Sequence, residues 1–99
     1  MGGFIELVRF RARSGVDTQA VLEAAQEVSI FLRGQAGFVR RHLGQSDDGT
    51  WHDIVVWRSR EDKERAMPEA ARSPHCARFF GLIEPGVDTL TLFPATLTA

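Results

Sequence analysis

Two hydrophobic periods alternate along this chain, and their order restricts the fold more than any single residue does. Segments rich in β-branched and aromatic residues read as strands, while apolar residues recurring three and four apart read as helices. "GFIELVRFRA" (Gly3 to Ala12) is a first strand, and "SGVD" turns the chain so that Asp17 or Thr18 caps a helix. Val21, Ala25, Val28 and Leu32 then form an apolar stripe with Glu23 and Glu27 off it. Gly34 stands where a left-handed C-terminal cap is expected. "GFVRRHLGQ" and "TWHDIVVWRS" read as the second and third strands, and Asp48-Gly49 between them suits a two-residue hairpin turn. Ser59 with Asp62 has the form of a capping box opening a second helix, which Pro68 interrupts. Ser73 and Pro74 restart it, Gly86 follows its end, and "VDTLTLF" is the fourth strand.

The order β-α-β-β-α-β is the split βαβ plan. It predicts an α+β, ferredoxin-like domain: a four-stranded antiparallel sheet with two helices on one face. The strands predict something further. Phe4, Val8 and Phe10 lie on one alternating set of the first strand, yet Ile5 and Leu7 make the other set apolar too, and "IVVW" in the third strand does the same. A sheet with one wet face should alternate cleanly. The uncovered face is therefore expected to meet another apolar layer, and an identical subunit is the simplest source of one.

Composition narrows the class. The 99 residues suit one domain, 1–99, with 43% hydrophobic and 25% charged residues, as in ordinary globular proteins. A formal net charge of -1 offers no basic footprint for nucleic acid or an anionic membrane. The N-terminal "MGGFIELVRF" is too short in apolar length and too charged for a signal peptide or a spanning helix. A single cysteine fits a reducing, cytoplasmic setting.

With this element order, "GTWHDIVVWRSREDKERA" and "SPHCARFFGLIEPG" make the chain resemble the antibiotic-biosynthesis-monooxygenase-like group of dimeric α+β barrel proteins over nearly its whole length. The most specific local feature is the tryptophan ending the third strand with the charged helix start after it: Trp57, Arg58, Ser59, Arg60. The resemblance implies two such domains pairing into a barrel, with a small-molecule cavity on the helix side. The family's cofactor-independent, quinone-forming members carry an asparagine four residues before that tryptophan and a tyrosine six after it. Here Asp53 and Lys63 hold those positions. The haem-degrading members are matched less well. The first strand lacks their asparagine, Ala66 stands near their second tryptophan, and only His75 falls near their histidine.

By alternation Trp51, Asp53, Val55 and Trp57 share one strand face, and His52, Ile54 and Val56 the other. The resemblance implies that the first of these lines the cavity. A desolvated Asp53 there would have a raised pKa and suit a general base or polar anchor, with Trp57 as a flat wall and N–H donor. The residues equally allow a plainer arrangement, with Asp53 paired to Arg9, Arg11, Arg40 or Arg41 and Trp57 as core. His75 and Cys76 fall in the first turn of the last helix, where the dipole depresses a thiol's pKa. Cys76 is then a conceivable nucleophile and His75 a helper, although both are also ordinary structural residues. His52 is read as an interface residue.

A two-residue turn sets His42 and His52 on opposite faces. With no His-x-His, cysteine pair or Gly-rich phosphate loop, neither a metal nor a nucleotide cofactor is expected. The combined reading is a monooxygenase-like homodimer taking a small apolar or aromatic molecule, with Asp53, Trp57 and His75 as candidate catalytic residues and no cofactor. The alternative is a non-catalytic barrel that binds a ligand or acts as an interaction module.

Overall fold

The computed structural model describes residues 3–99. Strand β1 (Phe4–Phe10) leads to helix α1 (Thr18–Arg33), then to the hairpin of β2 (Phe38–Gln45) and β3 (Trp51–Trp57). Helices α2 (Arg60–Arg72) and α3 (Pro74–Leu82) precede the last strand, β4 (Thr89–Pro94). The sheet is antiparallel in the order β2-β3-β1-β4. This is the expected ferredoxin-like α+β plan, with the second helical region divided in two.

The caps follow the side chains that code for them. Asp17 accepts from the Ala20 N–H (2.8 Å), Ser59 from that of Asp62 (3.1 Å), and Ser73 from that of His75 (3.2 Å). Two punctuation marks read from the sequence fall elsewhere. Pro68 does not interrupt α2, which runs through it. The amide that proline lacks would have served the carbonyl of Glu64, and both residues lie on the exposed side, where water meets that carbonyl. The break comes at Ser73 (φ -82°, ψ 125°), because the ring of Pro74 drives the residue before it out of the helical region. Gly34 is right-handed (φ -87°); the left-handed residue is Gly37 (φ 84°), where the chain turns into β2. A Cβ at Gly37 would overlap the Asp62 side chain, so glycine lets the α2 start sit against this turn.

The hairpin also departs from expectation. Ser46 N–H donates to Thr50 O (2.9 Å), enclosing a three-residue loop, Asp47 to Gly49, with Gly49 left-handed (φ 90°). Relative to a two-residue turn this moves the register by one, and a one-residue slip exchanges the faces of a whole strand. Gly44 now opposes His52 and His42 opposes Ile54, so the two histidines share the outer face rather than lying on opposite ones. The same slip carries Arg41 to the helix side, across from Val55 and diagonal to Asp53.

The core lies between the sheet and the helices. Val21, Ala24, Ala25, Val28 and Leu32 of α1 are buried, as the helical stripe required. From the sheet come Phe4, Phe10, Trp51, Val55 and Trp57, and α3 adds Cys76 and Phe79. Phe10 stacks on Trp51 (centroids 6.2 Å apart) and meets Phe79 edge-on (5.4 Å). The other face is bare within one chain: Ile5, Leu7, Ile54 and Val56 are half-buried, and Phe93 is exposed. Every residue of β4 is exposed.

Candidate active site

A cavity of about 110 Å³ opens between the helices and the sheet. Its walls are mainly apolar, including Val8, Leu32, Phe79 and Ile83, and three polar side chains reach it: Glu6, Arg41 and Asp53. A larger hollow of about 310 Å³ at the hairpin end has mostly polar walls, including Arg11, Asp17 and Glu84, and holds none of the candidate residues.

Asp53 enters this cavity from the middle of β3, as the resemblance implies, but not as a lone carboxylate. Arg41 grips it with both arms of its guanidinium, Nε to Oδ1 at 2.8 Å and Nη2 to Oδ2 at 2.6 Å. Of the four arginines the sequence offered as partners, the hairpin register selects this one. Arg41 Nη1 donates further to Ala25 O (2.7 Å) and Ser29 Oγ (3.1 Å), and the guanidinium carbon lies 5.4 Å from the centre of the Phe79 ring. The pair is thus a tie between β2, β3 and α1, and both its side chains are almost fully buried. Both Asp53 carboxylate oxygens are therefore engaged by a single guanidinium.

Trp57 is fully buried and sits beneath the cavity rather than in its wall. Its indole N–H donates to Glu6 Oε1 at 3.0 Å, so this donor is already taken. Phe38 packs edge-on against it (6.1 Å). His75 joins neither residue. It lies on the outside of α3, 45% exposed by side chain, with Nδ1 3.3 Å from Glu27 Oε1. Its neighbour Cys76 faces inward and lines the cavity. Burial pushes the Cys76 thiol up from its usual range, outweighing the Ser73 hydrogen bond and the charge of Arg41 that pull it down. The low-pKa thiol suggested by the helix start is therefore not found, because desolvation exceeds that hydrogen bond and charge. His52 lies on the outer face with Nε2 3.0 Å from Ser46 Oγ. Lys63, at the family's tyrosine position, is buried on α2 without reaching the cavity.

Sequence reasoning passed over Glu6. It belongs to the helix-facing set of β1 with Phe4, Val8 and Phe10, opposite Val55 on one side and Leu92 on the other. Among the described residues it forms no ion pair, and its Oε2 makes no hydrogen bond. The signal was present: one charge in an otherwise apolar alternating set, the same pattern that singled out Asp53.

No family model matches the sequence, and no curated protein does. Solved structures match it along nearly its full length. SnoaB, a cofactor-independent oxygenase from Streptomyces nogalater, superposes with a TM-score of 0.82 at 22% identity, covering 99% of this chain and 97% of that one. ActVA-Orf6, a monooxygenase of Streptomyces coelicolor in complex with nanaomycin D, superposes with a TM-score of 0.72 at 16% identity, covering 99% and 91%. A Nitrosomonas europaea protein of unknown function matches equally well in shape, with a TM-score of 0.73 at 10% identity and coverage of 100% and 94%. Identities this low speak for the fold, which hosts more than one function. No helix among the described residues is long and apolar enough to cross a membrane. The resemblance read from Trp57 and the helix start after it thus holds in three dimensions: the chain has the fold of the antibiotic-biosynthesis-monooxygenase-like proteins.

Proposed function

We infer that the protein is a homodimeric, cofactor-independent monooxygenase whose helix-side cavity takes a small aromatic or polyketide-like molecule. One observation carries this reading: an apolar cavity with three convergent polar side chains, in the fold of SnoaB and ActVA-Orf6. Within it Asp53 is a polar anchor held by Arg41, Trp57 orients a floor group through its indole N–H, and His75 stays outside the chemistry. The half-buried apolar outer face supports the dimer.

The chemistry asks little of the protein. An electron-rich substrate that has lost a proton reacts with dioxygen itself, so the site must bind it, exclude water and accept the proton. A second reading, a ligand-binding barrel without activity, draws on the Arg41–Asp53 tie, which gives Asp53 a sufficient structural reason to exist. Oxygen uptake by metal-stripped protein decides between them, measured on a panel of hydroxylated aromatics from one ring to anthrone. Uptake above the spontaneous rate, reduced in Asp53→Asn, is expected. Saturable binding without uptake, from a folded dimer, selects the second reading.

A further inference from the structure

Of the three polar groups in the cavity, two neutralise each other. Arg41 and Asp53 are engaged bidentately, and two further Arg41 N–H groups serve the α1 backbone and Ser29. Glu6 is left with a different arrangement. The Trp57 indole fixes one of its oxygens at 3.0 Å, and the other has no partner among the described residues. Trp57 itself is clamped by Phe38 and full burial, so the Glu6 carboxyl group is held from below, and this cavity-lining side chain keeps its second oxygen free of hydrogen bonds among the described residues.

Size restricts what meets that acceptor. A cavity of roughly 150 Å³ holds benzene, and about 110 Å³ is present here. The space between sheet and helices is thus on the scale of a single ring rather than of a fused three-ring skeleton. We propose that Glu6 is the proton acceptor of this cavity and that its substrate is a single hydroxylated aromatic ring. The proposal rests on the oxygenase reading above and assigns its proton transfer to a residue outside the candidate set of Asp53, Trp57 and His75.

Glu6 removes the phenolic proton, and the phenolate gives one electron to dioxygen. The phenoxyl radical and superoxide join at the para carbon, forming the C–O bond, and the peroxide takes the proton back from Glu6. The para C–H bond then breaks, with Glu6 receiving the proton. Its electron pair forms the C=O as the O–O bond breaks, and the departing hydroxide takes that proton to become water. One phenol and one dioxygen give one para-quinone and one water.

The test has two arms. In the first, oxygen uptake and quinone formation are followed with 2-methoxyphenol, whose para position is free, and with 1-naphthol and anthrone. Glu6→Gln should lower turnover of 2-methoxyphenol by about a hundredfold or more, flatten the acid limb of the pH–rate profile, and leave folding intact. The wild type should prefer one ring over three. In the second arm, calorimetry compares p-cresol, whose para position is blocked, with its isostere p-xylene. The ratio of their affinities should fall about tenfold in Glu6→Leu relative to wild type, and Trp57→Phe should lower it in part. Turnover unchanged in Glu6→Gln overturns the assignment, and so does an unchanged affinity ratio in a folded Glu6→Leu. No turnover by wild type with a ratio that still falls in Glu6→Leu sinks the oxygenase reading alone and supports Glu6 as the acceptor of a ligand hydroxyl.

Discussion

At the scale of single residues, the Arg41–Asp53 pair shows how burial converts an ionisable side chain from a reagent into a fastener. Four of the five guanidinium N–H groups find an acceptor, so removing one partner strands the other charge in the interior. Asp53→Ala should therefore destabilise the fold by about 3–5 kcal/mol, measured by urea unfolding. Arg41→Met with Asp53→Leu should recover much of that loss, because an apolar pair strands no charge. Cys76 gives a second residue-level expectation. Its raised pKa means that the folded state holds the thiol proton more tightly than the unfolded chain does. The associated stability is present below the ordinary cysteine value and is lost as pH rises through the higher folded value. At neutral pH Cys76 should react slowly with a thiol reagent in native protein and rapidly in denaturant. Fast native labelling would contradict the burial seen at the start of α3.

At the scale of elements, the turns carry more information than the strands they join. Asp48 holds the β2–β3 hairpin. Its carboxylate accepts from the Thr50 N–H (3.0 Å) and the Ser46 hydroxyl (2.7 Å), and these bonds lower its pKa from 3.8 to about 2. A depressed carboxylate pKa contributes stability above the unfolded value of 3.8 that is lost as pH falls through about 2. Asp48→Asn should therefore reduce stability at neutral pH and weaken its dependence on acid below about pH 4, read from thermal melts across that range. Gly37 is the stronger structural requirement. Its left-handed backbone alone costs an L-residue about 1–2 kcal/mol, and a Cβ there also overlaps Asp62. Gly37→Ala should destabilise by more than that figure, while Gly34→Ala, at a right-handed glycine, should be close to neutral or mildly stabilising.

At the scale of the whole molecule, one chain leaves an apolar sheet face uncovered, which the proposed dimer would cover. Ile5, Leu7, Ile54 and Val56 form a band on the outer sheet face, and β4 exposes Leu90 (55%), Leu92 and Phe93 at the sheet edge. Sedimentation should report a dimer, and Ile54→Glu should yield a monomer with lower thermal stability; a monomeric wild type would refute this. The element order, the caps at Asp17, Ser59 and Ser73, the α1 stripe and the two-faced strands were all legible in the sequence, because each depends on residues a few positions apart or on a simple period. Face assignments within β3 followed for the same reason. Which arginine would meet Asp53 did not follow, since a three-residue loop in place of a two-residue one moves Arg41 to the helix side and brings His42 onto the face of His52. The engagement of Trp57 with Glu6, fifty-one positions apart, and the exclusion of His75 from the cavity also depend on packing between distant segments. Local periodicity determined what the elements are and how residues divide between the two faces of each. Only the tertiary structure decided which charges meet, because that turns on a one-residue register and on desolvation, to which no short stretch of sequence is sensitive.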